Sequence, residues 1–309
     1  NHTSETSMDL TLAKTIEGLS AYIKEFPPEL IVVHGDRVEA LAGAITGSLN
    51  NILVAHIEGG ELSGTIDDLI RHAVSKMSHI HFVSNEEAKK RLIQLGEAEN
   101  TIFNIGSPDM DLMFSDVLPE LDSVKKYYEI PYTRYGIVMY HPVTTEYESA
   151  EERARYFVDA LLNDSAHSYI VIYPNNDLGS NYILSEYRRL KNNPQFRVFP
   201  SIRFEYFLTL LKNADFMIGN SSAGIREAPA YGVPSINIGS RQNKRAVSST
   251  IINCEENPIA ISEALRILPS RKSSGNMLFG KGHSDRKFFD ILSDETVWNL
   301  PKQKQFIDM

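Results

Sequence analysis

Short apolar runs rich in β-branched residues alternate along this chain with longer amphipathic segments. The short runs predict β-strands, and segments whose apolar residues recur every three or four positions predict helices. Ten strands are predicted, at Leu30–Val33, Ile52–Ile57, Ile80–Ser84, Thr101–Ile105, Tyr135–Tyr140, Tyr169–Tyr173, Gln195–Phe199, Phe216–Ile218, Ser235–Ile238 and Thr250–Asn253. The clearest helices are Val38–Leu49, Ile66–Met77, Glu86–Leu95, Glu151–Leu162, Phe204–Leu211 and Ile259–Ile267. This alternation is typical of a doubly wound α/β architecture with parallel sheets.

The length of the chain indicates two domains, because 309 residues exceed what a single hydrophobic core usually supports. The stretch from Leu118 to Arg134 contains two prolines and interrupts the alternation, so we expect the boundary between two lobes there. The predicted division is residues 1–127 for the first lobe, 128–283 for the second, and a C-terminal segment 284–309.

Polar residues directly follow the first two predicted strands. His34-Gly35-Asp36-Arg37 ends the first, and Glu58-Gly59-Gly60-Glu61 follows the second. Ligands of open α/β sheets bind at the carboxyl ends of the strands, and clustered carboxylates supply an acid and a base near neutral pH. Asp36, Glu58 and Asp67 are therefore candidate catalytic residues. The alternatives are that Asp36 caps a helix and that Asp67 is a first-turn acid favoured by the helix dipole; Glu58 has no comparable structural explanation.

A second candidate lies in the run from Gly219 to Glu227, where small residues join a strand to a helix. Backbone N–H groups and the hydroxyls of Ser221 and Ser222 converge at such a helix start, which suits an anion such as a diphosphate. An ordinary N-cap explains the same serines equally well. Glu227 is expected one and a half turns into the helix, where its carboxylate either reaches ribose hydroxyls or is simply solvated.

Charge and cysteine content exclude several classes of protein. Asp plus Glu number 40 against 31 Lys plus Arg, giving a net charge of −9 without a basic run, so nucleic-acid binding is not expected. No apolar run reaches the roughly 18 residues of a membrane span, and no signal-peptide pattern is visible. The single cysteine, Cys254, excludes an intramolecular disulfide framework and is consistent with a reducing cytoplasm.

No motif predicts a metal or a cofactor. His79 and His81 share one face of a strand, but no carboxylate–histidine spacing of a known metal class accompanies them. The run from Gly275 to Lys281 has P-loop spacing, but Gly282 replaces the magnesium-binding hydroxyl residue and no strand precedes it. A glycine fingerprint for nicotinamide binding is also absent from the sequence.

Five collinear motifs resemble the hydrolysing UDP-N-acetylglucosamine 2-epimerases of sialic acid synthesis, and the resemblance extends over essentially the whole chain. The motifs are His34–Leu41, His56–His72, His141–Thr145, Gly219–Glu227 and Gly239–Gln242.

The resemblance implies a GT-B architecture, two Rossmann-like lobes with the ligand between them and a last helix, from Ser284, that crosses back onto the first lobe. It implies that UDP-N-acetylglucosamine and water give UDP and N-acetylmannosamine. In the family mechanism, anti elimination of UDP forms 2-acetamidoglucal, which is then hydrated. No cofactor takes part, and a cytoplasmic homodimer is expected.

The resemblance also implies roles for individual residues. Asp36, Glu58 and Asp67 match the three catalytic carboxylates, and His141 matches a histidine at the diphosphate, where a cationic or donating imidazole stabilises the departing UDP. The residues that match substrate-contacting positions are Arg37 and Arg241, the phosphate hydroxyls Ser221 and Ser222, the ribose carboxylate Glu227, and Asn175 and Ile202 of the nucleotide pocket.

One departure from the family pattern concerns the N-terminus. Family members open with a strand and an arginine-bearing loop, so roughly 60–70 residues are expected before Asn1. A chain truncated there is expected to turn over negligibly.

Three alternative functions stay open. One is a sister enzyme acting on a 2,4-diacetamido-trideoxy sugar nucleotide, the second is a retaining GT-B glycosyltransferase, and the third is a non-catalytic nucleotide-sugar sensor. The three acids together argue against a sensor, which needs only a diphosphate clamp.

Overall fold

The computed structural model describes residues 7–63, 66–242, 248–268 and 274–307. Two compact units are present: the first contains the residues up to Asp111 and those from Phe279 onward, and the second contains Leu112–Leu278. Each unit is built on one parallel sheet covered by helices.

The first unit has a four-stranded sheet in the order β1-β2-β3-β4. Its strands are β1 (Leu30–His34), β2 (Leu53–Ile57), β3 (Ile80–Val83) and β4 (Ile102–Asn104). Its helices are α1 (Met8–Glu25), α2 (Val38–Leu49), α3 (Ile66–Met77), α4 (Glu86–Gln94), the start of α5 (Pro108–Met113), α12 (Ser284–Leu292) and α13 (Glu295–Trp298). Helix α2 lies close to the sheet because Gly47 has no side chain: a Cβ there would be 2.5 Å from a methyl group of Val54.

The second unit has a six-stranded sheet in the order β10-β9-β8-β5-β6-β7. Its strands are β5 (Gly136–Met139), β6 (Tyr169–Ile172), β7 (Phe196–Phe199), β8 (Phe216–Gly219), β9 (Ser235–Ile238) and β10 (Ile251–Cys254). Its helices are α6 (Leu121–Tyr127), α7 (Ala150–Asn163), α8 (Ser180–Tyr187), α9 (Phe204–Asn213), α10 (Glu227–Ala230) and α11 (Pro258–Arg266). This is the Rossmann strand order, in which the connections change direction between β5 and β8, and such a switch point is where ligands of these sheets bind.

All ten predicted strands and the six predicted helices are confirmed, with ends that differ by at most two residues. The sequence also contains the caps that set some of these ends. Asn85 begins α4 by accepting a hydrogen bond from the Ala88 N–H at 2.9 Å, and Asn257 begins α11 in the same way with Ala260.

The division between the units lies earlier than the predicted boundary after residue 127. Helix α6 belongs to the second unit, where Tyr127 packs edge-on against Tyr206 of α9 and the Pro119 carbonyl accepts the Thr209 hydroxyl hydrogen bond at 2.9 Å. The residues from Phe279 onward belong to the first unit, where the Ser107 N–H donates to the Phe279 carbonyl at 2.7 Å. The proline-containing stretch is therefore part of the second unit and does not separate the two.

Within residues 7–63, 66–242, 248–268 and 274–307, no helix is both long enough and apolar enough to cross a membrane.

Candidate active site

The buried guanidinium of Arg71 organises the polar loops of the first unit. Arg71 lies on α3 with 2% of its surface exposed. Its Nη2 contacts the Asp36 carboxylate, its Nη1 donates to the Glu58 carbonyl at 3.0 Å, and a Glu61 carboxylate oxygen is 3.7 Å from Nη1. A buried arginine needs such partners, because an uncompensated charge away from water is strongly unfavourable. The loops after β1 and β2 are thus held by one side chain.

Glu58 has an unusual backbone and a fixed carboxylate. Its φ is +65°, a region that non-glycine residues seldom adopt and that is often found at functional sites. The residue is 5% exposed, one carboxylate oxygen accepts a hydrogen bond from the Ser107 hydroxyl at 2.6 Å, and the other lies 3.2 Å from Nε2 of His34. A proton donor therefore contacts one carboxylate oxygen, and a titratable imidazole lies beside the other.

Asp67, the third predicted acid, lies in the first turn of α3 and is partly exposed. It precedes Arg71 by four residues, so both project from the same face of the helix. Arg71 thus contacts the Asp36 carboxylate and the Glu58 main-chain carbonyl, and Asp67 lies one helical turn before Arg71.

His56 supports the loop that carries Asp36. Its Nε2–H donates to the Gly35 carbonyl at 2.9 Å, and its Nδ1 accepts from the Ser75 hydroxyl at 3.0 Å. Complete burial lowers the pKa of His56 to about 3, so the ring is neutral at pH 7. It acts as a structural hydrogen-bonding group beneath the acids.

Arg37, predicted to contact substrate, lies at the N-cap of α2 with 70% of its side chain exposed. Its Nε donates to Glu39 at 3.3 Å, which is a surface contact. Arg71, which is not among the predicted site residues, therefore organises the loops that carry Asp36 and Glu58.

In the second unit, Asn220 joins the loops on both sides of the switch point. It follows β8, and its side-chain amide bonds the main chain of His141 after β5, accepting from the His141 N–H at 2.7 Å and donating to the His141 carbonyl at 2.8 Å. The Asn220 carbonyl in turn accepts from Arg241 at 3.3 Å and from Gln242 at 2.8 Å. Asn220 therefore connects the predicted diphosphate residues of three loops.

The protonation state of His141 follows from its partners. Its Nδ1 accepts the Asn175 backbone N–H at 3.0 Å, which places the ring proton on Nε2. Burial and the Arg241 guanidinium lower the pKa of His141 to about 3. Of the two states left open by the resemblance, the structure favours the neutral ring with an Nε2–H donor.

The segment from Gly219 to Glu227 does not form the single helix start that was predicted, but two separate short turns. Ser221 caps a single 3₁₀ turn, Ser222–Gly224, by accepting the Ala223 N–H at 3.3 Å. Glu227 is the first residue of α10, which has only four residues, so the expected position one and a half turns into a longer helix is wrong. The reason is Pro229, which has no N–H to donate to the preceding turn and so prevents a continuous helix from Ser222.

The remaining predicted residues lie on neighbouring loops of the same unit. Asn175 follows β6 and contacts His141 as described, and its side-chain oxygen is buried without a hydrogen-bond partner among the described residues. Ile202 is half-buried on the loop between β7 and α9. Glu227 is buried, with 6% exposed.

Sequence comparison decides the family. The profile for UDP-N-acetylglucosamine 2-epimerase matches residues 1–293, and a UDP-N-acetylglucosamine 2-epimerase of Neisseria meningitidis is 49% identical over 98% of this chain and 81% of its own length. The chain belongs to the UDP-N-acetylglucosamine 2-epimerase family. A UDP-N,N'-diacetylbacillosamine 2-epimerase (hydrolyzing) of Legionella pneumophila is 34% identical over 93% of this chain and 76% of its own length. The polysialic acid biosynthesis protein P7 of Escherichia coli is 34% identical over 90% of this chain and 73% of its own length.

The fold agrees with this family. The solved structure of the Methanocaldococcus jannaschii UDP-GlcNAc 2-epimerase in complex with UDP-GlcNAc and UDP matches with a TM-score of 0.80 at 23% identity, covering 94% of this chain and 82% of that one. The GT-B fold expected for a family member is confirmed.

We expect that replacing Arg71 by Met destabilises the first unit by about 3–5 kcal/mol, because it leaves the carboxylates around the guanidinium without their buried partner. Trp298, the single tryptophan, lies in this unit, so its fluorescence during urea denaturation measures the loss. Arg37→Met is the matched control and should change the unfolding free energy by less than about 0.5 kcal/mol. Equal midpoints for the two variants would contradict this assignment.

We expect His141 to remain neutral from pH 8 to pH 5 in the unliganded protein, with its proton on Nε2. Its folded pKa of about 3 lies below the unfolded value near 6.5, so its contribution to stability is complete above about pH 6.5 and is lost as the pH falls toward 3. Long-range ¹H–¹⁵N NMR, with His141→Gln for assignment, measures both tautomer and titration. A titration midpoint between pH 6 and 7 would disprove it.

Proposed function

We propose that this protein is a hydrolysing UDP-N-acetylglucosamine 2-epimerase that forms N-acetylmannosamine, the first step of sialic acid synthesis. The observation that carries the proposal is the buried Arg71 of the first unit, which contacts the Asp36 carboxylate and holds the Glu58 loop through the Glu58 main-chain carbonyl. It is supported in the second unit by His141 and Arg241, whose loops Asn220 holds together, because an imidazole N–H and a guanidinium suit a diphosphate.

The proposed reaction has two steps, an elimination and a hydration. A carboxylate removes the proton from C2 of the sugar while the C1–O bond to UDP breaks on the opposite face, giving 2-acetamidoglucal and UDP. Water then adds to the double bond: its hydroxyl goes to C1, and C2 receives a proton on the face opposite to the one that lost it. The sum is UDP-N-acetylglucosamine plus water to UDP plus N-acetylmannosamine, with no oxidant or reductant required.

The proposed roles follow the chemistry of each group. Asp36, Glu58 and Asp67 jointly carry out proton removal and glycal hydration, since both steps need a positioned acid and base. The neutral His141 donates its Nε2–H to the departing diphosphate, and this hydrogen bond strengthens as charge develops on the leaving oxygen. The remaining binding roles are those of Arg37, Arg241, Ser221 and Ser222 at the diphosphate and sugar, Glu227 at the ribose, and Asn175 and Ile202 at the nucleotide.

Relatives support hydrolysis over simple epimerisation of the nucleotide sugar. The Legionella relative bears the description hydrolyzing, and the Escherichia coli relative is named for polysialic acid biosynthesis. A cytoplasmic homodimer is part of the proposal, as expected from the family.

A second substrate is favoured by a specific observation. Two relatives at 34% and 35% identity are named as diacetylbacillosamine 2-epimerases, so a 2,4-diacetamido-trideoxy sugar nucleotide is the alternative. The 49% identical relative is named UDP-N-acetylglucosamine 2-epimerase, which favours UDP-N-acetylglucosamine as the substrate.

We expect N-acetylmannosamine formed in deuterated water to carry deuterium at C2, because the C2 proton of the product comes from solvent. NMR of the reaction mixture measures the label and also the release of UDP without any sugar acceptor. Product without label would contradict elimination, UDP-bound N-acetylmannosamine would indicate a non-hydrolysing enzyme, and a strict need for an acceptor would indicate a glycosyltransferase. A faster reaction with the diacetamido sugar nucleotide would reassign the substrate.

We expect Glu58→Gln to lower kcat by about 10²–10⁴-fold, because the amide cannot exchange a proton with C2 or with the glycal. UDP binding measured by calorimetry should be unchanged, since other residues are proposed to bind the diphosphate. The control is Glu87→Gln, an exposed carboxylate paired with Lys90, which should leave both quantities unaltered. Loss of UDP binding in the Glu58 variant would show that Glu58 contributes to diphosphate binding, and would contradict its assignment to proton transfer.

A further inference from the structure

A charged network in the second unit lies outside the predicted site residues. Arg153, on α7, extends one guanidinium nitrogen between two carboxylates: it contacts Glu146 directly and Glu256 at 2.6 Å. The side chains of Arg153 and Glu146 are 32% and 28% exposed, and that of Glu256 is 8% exposed. An arginine that bridges two carboxylates in this partly desolvated position fixes the geometry of both.

The Glu146 end of the network reaches the loop that carries Arg241. Its Oε1 accepts the Ser240 hydroxyl hydrogen bond at 2.7 Å, and its backbone belongs to the turn that directly follows the His141 loop. Glu146 thus connects the segment after β5 with the segment after β9.

The Glu256 end holds the same loop from the other side. Glu256 also accepts the Tyr140 hydroxyl hydrogen bond, and Tyr140 immediately precedes His141. Gly239, with φ +70°, lies against the Glu256 carboxylate, where a Cβ would be 3.1 Å from an oxygen, and its N–H donates to the Cys254 carbonyl at 2.9 Å. The turn that precedes Arg241 therefore packs against the Glu256 carboxylate.

We propose that Arg153 is a positioning residue that braces the His141 and Arg241 loops against each other and so sets the affinity for the nucleotide diphosphate. The inference rests on the proposed function, because Arg241 and His141 are assigned to the diphosphate there. Arg153 acts on the two loops through Glu146, Ser240, Glu256 and Tyr140. Without it, two carboxylates repel each other beneath the loops and the hydrogen bonds to Ser240 and Tyr140 lose their fixed acceptors.

The expected signature is a loss of binding with little loss of chemistry. Arg153→Met should raise the Kd of UDP and the KM of the sugar nucleotide by roughly 10- to 100-fold, because small displacements of binding groups have effects of this size. The kcat value should change by less than about threefold, since the acids that perform proton transfer are in the other unit. Arg153→Lys should recover only part of the affinity, because an ammonium group does not reproduce the planar fork of the guanidinium.

Arg189→Met is the matched control. Arg189 also bridges two carboxylates in the same unit, Asp159 and Glu186, both at 2.6 Å, but these lie on the surface of α7 and α8 and carry no predicted site loop. Its replacement should leave the Kd of UDP unchanged. Circular dichroism and thermal melting of each variant establish that it is folded.

A triple variant separates positioning from simple repulsion of the anion. In Glu146→Gln/Arg153→Met/Glu256→Gln, the unpaired negative charges are gone but the brace is still missing. Positioning predicts that UDP binding stays weak, whereas restored binding would mean that Arg153 acts only by neutralising charge, and would overturn the proposal. Wild-type UDP affinity in a folded Arg153→Met protein would overturn it as well. Failure of the wild-type protein itself to bind UDP in calorimetry would refute the proposed function.

Discussion

Loops at the carboxyl edge of a parallel sheet leave the strand ladder, so the polar groups that the main chain does not pair need side chains or water as partners. This constraint shapes both units. In the first, the guanidinium of Arg71 reaches the Asp36 carboxylate and the Glu58 carbonyl. In the second, the amide of Asn220 bonds the main chain of His141 on both sides. In each unit, therefore, a buried side chain, Arg71 or Asn220, connects the polar loops by hydrogen bonds.

The fold was predictable because its signal is local. Apolar strands and amphipathic helices have different periodicities, and these alone located β1–β10 and the principal helices. The division between units was not local, since it depends on which surface α6 packs against: Tyr127 meets Tyr206 far along the chain. The broken loop before α10 could have been inferred from Pro229, whose missing N–H forbids the continuous helix that the small residues suggested.

Part of the candidate site was predictable for the same reason. Asp36 and Glu58 closely follow apolar runs, which places them at the carboxyl edge of the sheet. Arg71 had one available signal, its position four residues after Asp67 on the same helix face. Ser107 had none: it donates to Glu58 from 49 positions away, and only the folded sheet brings them together. Long-range contacts of this kind cannot be deduced from spacing within one sequence.

The charge of the protein acts locally. With a net charge of −9, the chain does not attract an anion as a whole, so the proposed binding of a diphosphate depends on fixed donors. His141 contributes an N–H rather than a positive charge, because Arg241 beside it and burial both disfavour protonation of the ring. Fixed positive charge at the loops then comes from guanidinium groups, and these are themselves held in place, Arg241 by the Asn220 carbonyl. In the proposed reaction, a neutral donor beside a fixed cation suits a leaving group whose charge grows, because neither partner must reorganise as that charge appears.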